Sequence, residues 1–284
     1  IMPQDGFVEV TLPHDWAISG PFSRDNDLQN VAITQNGSDV PSVRTGRTGG
    51  LPYVGTAWYK TTLPDNLMEH VELLFDGAMS EPEVYVNGQK VCYWPYGYNA
   101  FHVDITPYLL PSGNEVAVRL DCKPESSRWY PGSGLYRQVH LIESQHVHVP
   151  VWGAHIKTLA ANREMATLKV ALEVASAVAK DLRVVTRMFD SKELVYENEQ
   201  RLNTADTDHI EMVASIGNPR MWTPETPELY NAVFEIYDGK RLVDTYQQTF
   251  GIRTVKIVPN VGFLLNGEVR KFQGVCLHHD LGPL

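Results

Sequence analysis

The segment Glu83-Val84-Tyr85-Val86-Asn87-Gly88 decides the fold class of this chain of 284 residues. Val84, Tyr85 and Val86 are residue types that β-strands favour, and Asn87-Gly88 follows them directly. A type I′ turn needs positive φ at both central positions, and Asn-Gly adopts that conformation at little cost. The segment therefore predicts a β-hairpin.

Signals on both sides of the hairpin extend this prediction to the whole chain. Asn266-Gly267 repeats the turn, and the stretch from Glu115 to Leu120 alternates apolar and polar residues with the period of a strand. Thr106 as a cap and Pro107 at the first helical position predict one brief helix before that strand. Long stretches with a period of 3.6 residues are scarce, so we predict an all-β, sandwich-like fold.

The pattern of apolar and polar residues changes after about residue 145. Short apolar bursts there have the spacing of an immunoglobulin-like sandwich. The stretch from Asn218 to Tyr230 cannot be a central strand because each of its prolines lacks a ladder donor, and the Asp238-Gly239 turn predicts a hairpin beyond it. We predict domains at residues 1–145, 146–254 and 255–284. The apolar residues that mark these strands are Leu168, Val170, Leu172, Val174, Val184, Ile210, Met212, Ala214 and Ile216.

Composition excludes several classes of protein. A hydrophobic content of 43% can bury sizeable cores, and a net charge of −10 without a basic run argues against nucleic acid or an anionic membrane as a partner. No apolar stretch approaches the roughly 18 residues that span a bilayer. The three cysteines are too scattered for a disulfide framework; Cys92 and Cys122 could pair, although buried thiols fit better.

The end of the chain carries the most chemistry. The segment from Phe272 to Leu284 predicts a buried strand that delivers His278, His279 and Asp280 to its end. A (β/α)8 barrel presents site residues at the C-terminal ends of its strands. We therefore expect this segment to be the first strand of a catalytic barrel whose remainder lies outside this chain.

The order of short motifs resembles glycoside hydrolase family 2, which groups β-galactosidases, β-glucuronidases and β-mannosidases. The resemblance covers nearly the whole chain and implies a jelly-roll sugar-binding-type β-sandwich, an immunoglobulin-like sandwich and a barrel, in that order. The motifs are Leu12-Pro13-His14-Asp15-Trp16, Gly55-Thr56-Ala57-Trp58-Tyr59, Asp76-Gly77-Ala78, Glu83-Val84-Tyr85-Val86-Asn87-Gly88, Asp104-Ile105-Thr106, Gly134-Leu135-Tyr136-Arg137, Trp222-Thr223-Pro224-Glu225-Thr226-Pro227, Gly251-Ile252-Arg253 and Gly274-Val275-Cys276-Leu277-His278.

This resemblance implies retaining hydrolysis of a terminal β-linked sugar by two Glu residues on later barrel strands. Because neither lies in this chain, we expect the chain alone to be inactive. A β-galactosidase-type enzyme is the first expectation; β-glucuronidase, β-mannosidase and a non-enzymatic carbohydrate-binding module stay open. We expect no cofactor here, magnesium or sodium only in the full-length enzyme, a β-linked glycoside as partner, compatibility with a homo-oligomer, and export to a periplasm or the outside.

Three residues are the candidate substrate-binding set. His278 matches the family histidine at the end of the first barrel strand, and Asp280 matches an acid of some members. The family pattern there is commonly Gly-Val-Asn-x-His-Glu, whereas Cys276 replaces the Asn and His279 replaces the Glu. Arg128 stands near the position where well-known members carry a sugar-contacting acid, so it suggests different recognition or a pairing with a nearby carboxylate.

Other polar and aromatic groups have a structural and a functional reading. For the first group, a turn with a packed Trp16 is the alternative to sugar contact, and for the second, an exposed strand is the alternative to a metal-binding pair. For the third, packing in a β-core is the alternative to stacking on a sugar. For the fourth, solvated strand residues are the alternative to catalytic carboxylates. In each case we expect the structural reading. The groups, in that order, are His14-Asp15-Trp16, then His146 with His148, then Tyr93, Trp94, Tyr96, Tyr98 and Phe101, and finally Glu81 with Glu83.

Overall fold

The computed structural model describes residues 2–21, 23, 55–123, 132–176, 180–204 and 207–276. It divides into two compact units, one with the described residues up to Glu143 together with Val275 and Cys276, the other from Ser144 to Gly274. Strands dominate both units, which confirms the all-β prediction. The predicted domain limits at 145 and 254 stay predictions.

The first unit holds seven strands in two sheets. A four-stranded sheet has the order β1-β6-β3-β4 and a three-stranded sheet the order β5-β2-β7. Apolar side chains from both sheets form one core, as expected of a sandwich. The strands are β1 Gly55–Thr62, β2 His70–Phe75, β3 Glu83–Val86, β4 Gln89–Tyr93, β5 Phe101–Asp104, β6 Glu115–Cys122 and β7 Val139–Ser144, and two 3-10 helices span Ala17–Ser19 and Thr106–Tyr108.

The second unit is a sandwich followed by a small sheet. One sheet has the order β13-β10-β8 with β9 also paired to β10, the other has the order β12-β11-β14-β15, and the small sheet has the order β16-β17-β18. The strands are β8 Val147–His148, β9 Ala154–Ala161, β10 Met165–Ser176, β11 Lys180–Asp190, β12 Glu193–Thr204, β13 Asp208–Gly217, β14 Tyr230–Asp238, β15 Arg241–Phe250, β16 Val255–Val258, β17 Gly262–Leu265 and β18 Glu268–Val269.

The turns form where the sequence predicts them. Asn87 and Gly88 have φ values of 51° and 79° between β3 and β4, and Asn266 and Gly267 have 54° and 83° between β17 and β18. The proline-rich stretch separates β13 from β14. The predicted helix exists as a single 3-10 turn, but its N-cap is Ile105.

Two details differ from the sequence predictions. Thr106 does not cap its own helix, because its hydroxyl accepts a hydrogen bond from the Val71 amide at 2.9 Å. The predicted buried strand at the end does not form over its described part: residues 271–276 lie in no strand, and Phe272 and Val275 are 77% and 93% exposed. A parallel barrel strand is stabilised by partners on both sides, and the described residues provide none there.

Cys92 and Cys122 are free thiols, the first half-buried and the second buried. The prediction of thiols is therefore confirmed, and the alternative of a disulfide between them is wrong. Within the described part of the chain, no helix is long and apolar enough to cross a membrane.

Candidate functional site

The three candidate substrate-binding residues cannot be placed directly. Arg128, His278 and Asp280 lie outside the described residues, as does His279. The segment around Arg128 leaves the described structure after Lys123, one residue beyond β6, and returns at Gly132. Its return path, residues 132–137, is described fully and forms the base of the candidate site.

Two separate segments hold this base by main-chain hydrogen bonds. Gly134 exchanges two such bonds with Met79, at 2.7 and 2.9 Å. On its other side the His14 amide donates to the Leu135 carbonyl at 2.8 Å, and the Trp16 amide donates to the Ser133 carbonyl at 3.0 Å. The base is therefore paired on both sides, like a short central strand.

Glycine is the only residue type that fits position 134. Its φ is +132°, a conformation that L side chains rarely adopt. A Cβ there would lie 2.5 Å from the His14 carbonyl oxygen and 2.6 Å from the Tyr59 hydroxyl oxygen. Glycine is required where two backbones approach this closely.

The His14-Asp15-Trp16 turn supports the base with side chains as well. The Asp15 carboxylate accepts from the Ala17 amide at 3.0 Å and from the Ser133 amide at 3.2 Å. His14 Nδ1 lies 2.9 Å from the Tyr59 hydroxyl, and burial raises the pKa of Tyr59. These contacts match the structural reading of the turn.

An aromatic loop lies beside the base. The Tyr136 hydroxyl donates to the Gly97 carbonyl at 2.9 Å, and an Arg137 Nη donates to the Tyr98 carbonyl at 3.2 Å. A Cβ on Gly97 would lie 2.5 Å from the Met79 sulfur, so the loop is packed closely against the segment that pairs with Gly134.

The predicted aromatic cluster separates into two groups. Phe101 is buried in the core, and Trp94 stacks on it with ring centroids 5.6 Å apart. Tyr93, Tyr96 and Tyr98 are exposed, and the ring centroids of Tyr96 and Tyr98 are 5.5 Å apart. Exposed rings can offer aromatic faces to a ligand, whereas Phe101 lies in the core and the half-buried Trp94 packs against it.

Three of the remaining sequence candidates are held in contacts within the protein, and the fourth, His146, is exposed. Glu81 pairs with Lys123 at 2.6 Å, and Glu83 pairs with Lys90. His148 is buried rather than exposed, which corrects the expectation of an exposed strand. Its Nδ1 lies 2.9 Å from the Gln145 carbonyl oxygen, a bond that lets the ring be buried with a satisfied nitrogen.

Sequence reasoning missed a buried carboxylate of the first unit. Glu72 is 5% exposed, and its two oxygens lie 3.0 Å from His70 Nε2 and 2.5 Å from His102 Nδ1. The alternation of His70 and Glu72 on β2 could have indicated a shared strand face. His102 could not be foreseen, because β5 brings it in from 30 residues away.

Comparisons with known proteins agree with this architecture. The family model described as the sugar binding domain of glycosyl hydrolases family 2 matches residues 4–145, and the model described as glycosyl hydrolases family 2 matches residues 147–253. The chain belongs to glycosyl hydrolases family 2. The family resemblance of its motifs is thereby confirmed, as is the pairing of a sugar-binding sandwich with an immunoglobulin-like one.

Individual relatives carry two enzyme names. The chain is 33% identical to the β-galactosidase BoGH2A of Bacteroides ovatus, over 99% of this chain and 33% of that protein. It is 31% identical to a putative β-glucuronidase of Formosa agariphila, over 97% of this chain and 25% of that protein. A solved β-glycosidase from Bacteroides vulgatus superposes with a TM-score of 0.78 at 29% identity, over 96% of this chain and 34% of that one. The chain thus spans about a quarter to a third of the length of such relatives.

Proposed function

We propose that this chain forms the N-terminal accessory domains of a retaining glycoside hydrolase that removes terminal β-linked galactose. Both catalytic Glu residues would belong to a barrel outside this chain, so the chain alone would be inactive. The proposal rests on one observation above all: the Arg128 segment returns through a base that is paired on both sides and fixed by Gly134. A recognition loop needs such a rigid support to position its tip.

In this proposal the first domain contributes recognition and the absent barrel contributes the chemistry. A retaining mechanism needs two carboxyl groups roughly 5 Å apart, one as nucleophile and one as acid and base. The candidate residues Arg128, His278 and Asp280 would hold sugar hydroxyls. Magnesium or sodium would bind only in the full-length enzyme.

A β-glucuronidase is the second candidate. An Arg side chain forms bidentate hydrogen bonds with a carboxylate, and a glucuronide carries one where a galactoside has none. Arginine is therefore a residue type suited to binding a uronic acid, and Arg128 supplies it. A relative named as a putative β-glucuronidase is 31% identical to this chain.

Hydrolysis of aryl β-galactoside, β-glucuronide and β-mannoside tests the proposal. The assay compares this chain with the product of the same gene extended through the expected barrel. We expect an inert chain and an extended protein that prefers the galactoside with retention of the anomeric configuration. Turnover by the 284-residue chain would contradict the placement of the catalytic residues, and two inert proteins would favour a glycan-binding module.

Substitution of Arg128 separates the two sugars. In the extended protein, Arg128→Gln should raise KM at least tenfold for the glucuronide if the guanidinium pairs with the sugar carboxylate. Arg201→Gln is the matched control, because Arg201 is highly exposed in the second unit. A KM unchanged for every sugar in Arg128→Gln would remove Arg128 from the site.

A further inference from the structure

One face of the four-stranded sheet in the first unit carries aromatic, cationic and carboxylate side chains next to one another. Strand register places Trp58, Arg119 and Glu83 in one row across β1, β6 and β3. The next row contains Ala117 and Tyr85. Side chains alternate between faces along a strand, and the intervening residues belong to the core. These five residues therefore share the face that points away from the core.

A hollow opens on this face beside two aromatic rings that contact each other. The ring centroids of Trp58 and Tyr85 are 5.3 Å apart, with an angle of 43° between the planes. The hollow has a volume of about 270 Å³ and is lined by the rings, by Met2 and Glu115, and by two small residues, Ala117 and Gly88. Their small size leaves the space that larger residues would fill. The volume lies near the lower end of ligand sites and suits a single sugar ring.

Tyr85 and Glu115 supply polar groups to the lining of the hollow, and further hydrogen-bonding groups lie beside it on the same face, held by their own contacts. The Tyr85 hydroxyl donates to Glu83 at 2.8 Å. Lys90 also donates to Glu83 and holds the pKa of that carboxyl below its ordinary value. Arg119 lies 3.3 Å from the Thr56 hydroxyl. Preorganised groups of this kind lose little conformational freedom when a ligand binds.

The charges on this face balance, although the chain as a whole carries −10. Cations and carboxylates are interspersed, so a charged ligand would gain little net attraction. A neutral ligand rich in hydroxyl groups can donate to the carboxylates and accept from the cations. The charged residues of the face are Lys60, Lys90, Arg119, Glu83, Glu115 and Asp121.

We propose that this face is an auxiliary glycan-binding site that takes one pyranose ring of a neutral β-linked polysaccharide in the hollow beside Trp58 and Tyr85. It would hold a polymer near the enzyme without taking part in hydrolysis. Only the choice of a galactan as the probe rests on the proposed function.

Affinity electrophoresis of this chain in gels containing β-1,4-galactan tests the site, with polygalacturonate as the charged comparison. We expect galactan to retard the chain more than polygalacturonate does. The dissociation constant from the concentration dependence should rise at least tenfold in Trp58→Ala and in Ala117→Leu, which fills the hollow while keeping both rings. Trp152→Ala is the matched control, since Trp152 is an exposed tryptophan of the second unit, and it should stay within twofold.

Several results would overturn the site. Absence of retardation by galactan, equal retardation of wild type and Trp58→Ala, or preference for polygalacturonate would each do so. Near-ultraviolet circular dichroism confirms that the variants are folded. The outcome is separate from the proposed function, because aryl glycoside hydrolysis by the extended protein reports on catalysis alone. If the extended protein is inactive but galactan retards the chain, the hydrolase proposal is wrong and the glycan-binding site is supported.

Discussion

Replacing Gly134 with Ala should destabilise the first unit strongly. The new Cβ would meet the His14 carbonyl and the Tyr59 hydroxyl at 2.5 and 2.6 Å, well inside van der Waals contact. Forcing an alanine into a conformation reserved for glycine costs about 1 to 3 kcal/mol, and overpacking costs about 1 to 3 kcal/mol more. The expected loss is therefore about 2 to 6 kcal/mol.

Gly113→Ala is the control that separates these two costs. Gly113 belongs to the same unit and has a φ of +69°, but a Cβ there meets nothing within 4 Å. Its replacement should cost only about 1 to 2 kcal/mol for the left-handed conformation. Any loss beyond that in Gly134→Ala measures the crowding at the base of the candidate site.

Amide hydrogen exchange is the suitable assay, because the two units each have their own core and a single melting curve could mix them. Exchange of the Val71 and Leu120 amides, which lie in core strands of the first unit, reports the free energy of opening of that unit. Equal losses in Gly134→Ala and Gly113→Ala would refute the close approach, and with it the rigid base on which the proposed loop function depends.

Three further outcomes follow from individual contacts. Tyr59→Phe removes the hydroxyl beside His14 and should cost about 1 kcal/mol in the same exchange experiment; an unchanged opening free energy would contradict it. Burial raises the pKa of the Cys122 thiol, so at pH 8 iodoacetamide should modify the exposed Cys276 long before Cys122, as mass spectrometry of tryptic peptides would show; equal rates would count against the burial. Burial also raises the pKa of Asp244, so its ionised form opposes folding above the folded-state pKa. The free energy of unfolding relative to Asp244→Asn should therefore increase as pH falls through that pKa toward the unfolded-state value. Urea unfolding of both proteins at pH 7 and pH 4 measures it, and the same difference in unfolding free energy at both pH values would contradict the prediction.

Features set by neighbouring residues could be predicted from the sequence. Asn87-Gly88 and Asn266-Gly267 form their turns because positive φ is a property of the dipeptide itself. The proline-rich stretch stays out of the strands because each proline lacks its own donor. Such features do not depend on what packs against them, so no tertiary knowledge is needed.

Features that join distant residues were not predictable in this way. The need for glycine at position 134 arises from His14 and Tyr59, which the chain brings in from more than seventy residues away. The buried Glu72 receives His102 only because β5 pairs with β2. The His146-x-His148 pattern indicated an exposed face, yet His148 is buried where it pairs with Ala175 of β10. In each case the deciding partner is absent from the local sequence.

The way the loop base is held has a consequence for how recognition can change. Its fixed contacts are main-chain hydrogen bonds to Met79 and to the segment around His14, together with the Asp15 carboxylate. None of them uses a side chain of residues 124–131, so the residue at position 128 can differ without loss of these bonds. Arg128→Gln should accordingly change KM in the extended protein while leaving the opening free energy of the first unit within about 0.5 kcal/mol, as surface substitutions do. A large loss of stability would mean that the guanidinium serves the fold, and the recognition role would then pass to the exposed tyrosines alone.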